Sequence, residues 1–222
     1  MTRTRVVRGF APLEACPVVF SEYAAALGQY KLVFDDLLAW ETWAYDMVKK
    51  PVVGVIVTLP CTAKLPRNKG DIHKTKIRIA KRVVRLPGSR QQIMDIESQN
   101  VHNQCGTYAL LHLLNNICEN RHIENDSILS YIREKTFHAS PGERGTLIEN
   151  THEIQELHAK FEQKGQSVIT NEQEEIASHY VTFVVVDGDL YELDGALDFP
   201  VNHGRAAPDE LLQNQTIYVL PP

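Results

Sequence analysis

Apolar and polar positions alternate with three different rhythms along the chain. Residues 104–117, "QCGTYALLHLLNNI", are apolar on nearly every side of a 3.6-residue period, which predicts a buried helix. "VVFSEYAAALG" at 18–28 reads as a short helix closed by Gly28. "PVVGVIVTLP" at 51–60 is a near-continuous apolar run bounded by prolines, so it reads as a buried central strand, and "KLVF" at 31–34 as another strand. "SPGERGTLIENTHEIQELHAKFEQKG" predicts one helix from Ser140 to Gly165. Pro141 fits its first turn and Glu143 completes a capping box with Ser140. "QSVITNEQEEIAS" at 166–178 has little periodicity and reads as a loop. "HYVTFVVVDGDLYELDG" at 179–195 is a β-hairpin about Asp187-Gly188. These elements make an α+β fold around one central sheet.

Length and charge refine this picture. The 222 residues carry no repeat and no Pro/Gly/Ser-rich linker, which predicts a single domain over 1–222. The basic N-terminus lacks the apolar run of a secretory signal, and no stretch approaches the ~20 apolar residues of a membrane span. Cys16, Cys61, Cys105 and Cys118 form no CxxC pair and no metal-ligand spacing. Such usage fits a reducing compartment, the cytoplasm or the nucleus. Residues 1–90 carry 16 Lys and Arg against 7 Asp and Glu, so +9; residues 91–222 carry 7 against 21, so −14. Much of the positive excess lies in 64–90, "KLPRNKGDIHKTKIRIAKRVVRLPGSR". A solvated surface accounts for it. The sharper alternative is a nucleic-acid or membrane patch, but no aromatic residue interleaves there to stack on bases.

The candidate chemistry begins at Cys105. A cysteine that opens a buried helix lies beside unpaired backbone N–H groups and the positive end of the helix dipole, which favour the nucleophilic thiolate form. A small core cysteine is the bland alternative. Such a nucleophile needs a histidine base and a group that orients it. With the turn at Asp187-Gly188, Val181 lies opposite Asp194. His179 is then a diagonal neighbour of Asp194 on the same sheet face, within side-chain reach. Acyl transfer also needs donors for a tetrahedral oxyanion. Gln99 carries a side-chain amide upstream of Cys105, whose own backbone N–H is the second candidate.

These residues converge on a family. "QNVHNQCGTYALLHLLNN" from 99, "HYVTFVVVDGDLYELDG" from 179 and "FPVNHG" at 199–204 resemble the ubiquitin C-terminal hydrolases, a class of deubiquitinating cysteine proteases. The order Gln, Cys, His, Asp and the six- and fifteen-residue separations match. "PLEACPVVFSEYAAALG" at 12–28 and "VTLPCTAK" from 57 resemble the family's N-terminal segment and buried strand. The resemblance covers residues 12–212.

The resemblance implies a knotted, papain-like domain with a mostly antiparallel six-stranded sheet flanked by helices. It implies thiol hydrolysis of the bond after the C-terminal glycine of ubiquitin, with no cofactor and no metal. Gln99 would hold the oxyanion, Cys105 attack, His179 act as base and acid, and Asp194 orient it. Glu14 and Asp35 fall where the family presents acids to the substrate, and 166–178 where a crossover loop arches over the site. The implied partner is ubiquitin or a ubiquitin-like protein, and the expected state is a monomer. Three features depart from the pattern. Residues 64–94 replace a more acidic stretch, Ser98 stands where the family often has lysine, and the C-terminus "QNQTIYVLPP" is short. A catalytically weak ubiquitin-binding module is the alternative reading, and a basic-patch nucleic-acid binder a third.

Overall fold

The computed structural model describes residues 10–60, 78–79, 95–96, 103–117, 122–165, 178–197 and 199–213. In chain order the elements are α1 (Pro17–Leu27), α2 (Thr42–Met47), β1 (Val55–Pro60), β2 (Arg78–Ile79), α3 (Cys105–Ile117), α4 (Ile128–Thr136), α5 (Pro141–Asn150), α6 (His152–Phe161), β3 (Ser178–Val186), β4 (Asp189–Leu193), β5 (Val201–Arg205) and a closing 3₁₀ helix, Pro208–Gln213. The strands form one antiparallel sheet in the order β1-β3-β4-β5-β2.

The hairpin has the predicted register. Thr182 pairs with Leu193 and Val186 with Asp189. Asp187 (φ 53°) and Gly188 (φ 79°) are both left-handed, as a two-residue turn matched to strand twist requires. β3 is buried on both faces. Val181 and Phe183 pack with Leu59, Leu190 and Leu211 on one side, and Val184 and Val186 with Leu113, Tyr191 and Leu193 on the other. The second side receives α3, buried from Gly106 to Asn115 as its all-round apolar pattern demands. There Thr182 Oγ1 donates to Ala109 O at 2.7 Å, so strand and helix are joined by a buried polar bond.

Four expectations need correction. The described sheet has four full strands and the two-residue β2, not six strands; "TIYVL" lies outside the described residues. Among the described residues β1 pairs with β3 alone and stands at the end of the strand order rather than at its centre. Its apolar run reflects packing on both faces, with Val55 and Val57 on one and Ile56 on the other; periodicity does not separate that from a central strand. "KLVF" is no strand. Leu32 and Phe34 do turn inward while Val33 stays 69% exposed, but the segment joins no ladder, and Phe34 N donates instead to Ser21 Oγ at 3.1 Å. The 140–165 helix is two helices, broken at Thr151 (φ −82°, ψ 105°). Asn150 and Thr151 side chains donate to Thr146 O and Leu147 O, a local competition with helical bonding. The Ser140–Glu143 capping box is present at its start.

Gly28 does cap α1, in the left-handed region at φ 104°, with its N–H donating to Ala25 O. A β-carbon there would lie 2.2 Å from Ser127 Cβ. Ser127 is the N-cap of α4, accepting from Ser130 N. Gly28→Ala therefore meets backbone strain and a steric clash together, and should cost at least about 2 kcal/mol in a urea unfolding experiment. A loss below about 0.5 kcal/mol would show that the α1–α4 junction yields freely.

Candidate active site

Cys105 is the first residue of α3, partly exposed, with Gln104 before it and the buried Gly106 after it. Asn103, two residues upstream, adopts φ 66°, a conformation that asparagine tolerates better than most residues. It turns the chain into the helix and donates through Nδ2 to Phe10 O at 2.7 Å.

The base comes from the hairpin. His179 Nε2 lies 2.7 Å from Asp194 Oδ1, with the His179 side chain 20% exposed and that of Asp194 fully buried. Asp194 is fixed in turn: its Oδ1 accepts from Ala196 N at 2.9 Å and its backbone carbonyl from Leu197 N. The other partner of His179 is Cys105, to which its side chain is hydrogen-bonded. With Nε2 held by Asp194, the nitrogen available to the sulfur is Nδ1. Burial pushes the His179 pKa down, but bonds to Asp194 and Cys105 and their charges outweigh it, and the net value is about 10. His179 is therefore an imidazolium at neutral pH. That proton stabilises the native protein fully below the unfolded value of about 6.5, and the contribution is lost as pH rises through about 10. The stability difference between the native protein and His179→Ala, measured by urea unfolding, should shrink across that window. A difference that is flat with pH would contradict the pairing.

Of the other predicted residues, Glu14 lies near Tyr180, the residue that follows the base. Its carboxylate sits against Gly165, where a β-carbon would be 2.3 Å from Oε2, and its charge reaches Tyr180. Asp35 is exposed and caps its own neighbour, with Oδ1 accepting from Asp36 N at 3.2 Å. The adjacent Phe34 packs on Phe20, and Phe20 on Tyr180. Gln99 and loop residues 166–177 lie outside the described residues, as does most of the basic run. Upstream of Gln99, Ile96 N donates to the buried His112 of α3 at 2.9 Å, and the buried Arg144 of α5 donates to Asp95 O at 2.8 Å. Among the described residues no group of three or more His, Cys, Asp and Glu could hold a metal ion, and no helix is long and apolar enough to cross a membrane.

The model of ubiquitin carboxyl-terminal hydrolase, family 1, matches residues 10–220. The chain belongs to this family. A ubiquitin carboxyl-terminal hydrolase of Drosophila melanogaster is 28% identical over 207 residues, 92% of this chain and 86% of that one. Isozyme L1 of Rattus norvegicus is 30% identical over 207 residues, covering 91% and 86%. The catalytic domain of Trichinella spiralis UCH37, solved bound to ubiquitin vinyl methyl ester, superposes with a TM-score of 0.68 at 22% identity, over 95% of this chain and 86% of that one.

Sequence reasoning missed a strap over residues 10–14 in this ubiquitin hydrolase family member. Ala11 N donates to Glu162 Oε2 at 2.8 Å, and Ala11 O faces His158 Nε2 at 2.9 Å. His158, fully buried, reaches Thr107 Oγ1 at 2.8 Å through Nδ1, and Thr107 in turn meets Tyr23. Burial lowers the His158 pKa against the pull of its Ala11 bond, which keeps the ring neutral. Leu13 packs on Gly106, where a β-carbon would be 3.1 Å from Leu13 Cδ1. A short segment without regular structure carries no periodicity, so nothing in its pattern marked it.

Proposed function

We propose that this chain is a thiol-dependent ubiquitinyl hydrolase that cleaves the bond after the C-terminal glycine of ubiquitin. The observation that carries the reading is His179, bonded to Asp194 on one side and Cys105 on the other at the start of a buried helix. Family membership and the ubiquitin ester bound to the Trichinella spiralis relative support ubiquitin as the partner. Cys105 Sγ attacks the glycine carbonyl, and the developing oxyanion is held by the Cys105 backbone N–H and the Gln99 amide; each such donor contributes roughly 3 kcal/mol in comparable sites. His179 gives its proton to the leaving amine, and the thioester forms as the C–N bond breaks. His179, now neutral, takes a proton from water, hydroxide adds to the thioester, and Cys105 leaves as thiolate. Glu14 and Asp35 attract the basic tail of ubiquitin. The knotted threading of the family is part of the same reading, supported by the superposition.

Leaving-group size is the finer proposal. Residues 166–177 run from Gly165, packed on Glu14, to Ser178, the neighbour of His179. One end of this polar segment thus adjoins the base and the other adjoins Glu14, so an arch over the cleft would pass a peptide or small amine and resist a folded domain. Fast release of a fluorogenic amide from ubiquitin, with slow cleavage of di-ubiquitin, is the expected result. Inserting about ten Gly/Ser residues into 166–177 should raise di-ubiquitin cleavage relative to the small adduct. Efficient di-ubiquitin cleavage by the unmodified chain would end the filter. Ubiquitin binding without amide release would favour the inactive binding module.

A further inference from the structure

The residue after the base is a tyrosine with an unusual connection. Tyr180 is 5% exposed and belongs to the core cluster, its ring 5.8 Å from that of Phe20. A phenylalanine would satisfy that packing, and a buried hydroxyl is unfavourable unless bonded. Here the hydroxyl donates to Leu13 O at 2.8 Å, with the Thr58 hydroxyl across the β1–β3 ladder as a second partner. Burial pushes the Tyr180 pKa up to about 12, so the donor keeps its proton throughout the neutral range.

The strap's other polar anchors among the described residues lead toward the nucleophile: Asn103 before Cys105, His158 with Thr107 after it, and Glu162 of the turn that follows α6. Tyr180 alone of these anchors stands on the strand of the base. Following the contacts gives a closed ring. His179 is bonded through the chain to Tyr180, Tyr180 OH to Leu13 O, the Leu13 side chain to Gly106, and Gly106 through the chain to Cys105. We propose that Tyr180 is a positioning residue, whose hydroxyl bond to Leu13 O sets the separation of Cys105 and His179 independently of their own contact. The proposal rests on the hydrolase reading of these two residues. It goes beyond that reading because the Tyr180 hydroxyl is bonded to Leu13 O rather than to Cys105 or His179.

Misplacing reacting groups by about an ångström costs up to about a hundredfold in rate. Tyr180→Phe keeps the ring and removes the bond. It should lower kcat for ubiquitin fluorogenic amide by about tenfold, leave KM within about twofold, and shift the melting temperature by only a few degrees, roughly what one lost bond produces. The deciding readout needs no ubiquitin. Iodoacetamide alkylation of Cys105 at neutral pH reads how well His179 is placed against the sulfur. In Tyr180→Phe that rate should fall several-fold relative to the native protein. An unchanged alkylation rate in the variant overturns the proposal, whatever the melting temperature does. Native protein that alkylates as expected but does not cleave ubiquitin amide would sink the substrate reading alone, and the alkylation comparison would still decide the role of Tyr180.

Discussion

Cys105→Ala is expected to remove ubiquitin-amide hydrolysis, by at least about a thousandfold, while ubiquitin affinity stays within about twofold. The sulfur sits at a helix start, partly exposed and bonded to the base, rather than deep among core side chains. Its loss removes little packing and should cost on the order of 1 kcal/mol in stability. Cys16, also a free thiol but at the N-terminal flank of α1, is the internal control. Cys16→Ala should retain most of the rate. A Cys105→Ala protein with near-native turnover would mean that another group attacks the carbonyl. The same variant should also narrow the pH window over which His179 stabilises the fold, since one of its two partners is gone.

The second large effect belongs to Asp194. Asparagine at this position can still accept from Ala196 N, so the turn that carries it survives. What disappears is the negative charge 2.7 Å from His179 Nε2. The imidazolium loses its chief charged partner, and a neutral amide no longer fixes which ring nitrogen carries the proton. Asp194→Asn should lower kcat by about a thousandfold or more, with KM changed little, as expected for an interaction that matters to the reacting state. Iodoacetamide alkylation of Cys105 at neutral pH should slow as well. If kcat falls less than about tenfold and the alkylation rate is unmoved, Asp194 holds the turn and does not serve the base.

The base pair was legible because its geometry is arithmetic. A two-residue turn at Asp187-Gly188 fixes every pairing in the hairpin, and the observed partners Thr182 and Leu193 are those the turn dictates. α3 was legible because a helix apolar on all sides has one place to go. The break at Thr151 was hidden because the residues on either side keep a helical pattern, and the break lives in two side-chain bonds to backbone carbonyls. The place of β1 at the end of the described strand order was hidden because both its faces are covered. The strap was hidden for a different reason: its importance lies wholly in long-range bonds to Asn103, His158, Glu162 and Tyr180, none of which has a local signature.

The bond from Tyr180 to Leu13 spans 167 residues of chain. The strap is synthesised before its partner on the sheet, which emerges 167 residues later. Contacts so distant in sequence form late, because a large loop must close before they repay its entropy. The groups that ready Cys105 from the sheet side, His179, Tyr180 and Asp194, arrive together in the β3–β4 hairpin. A nascent chain still on the ribosome therefore carries a cysteine without its base, and hydrolytic competence is switched on by the completion of folding.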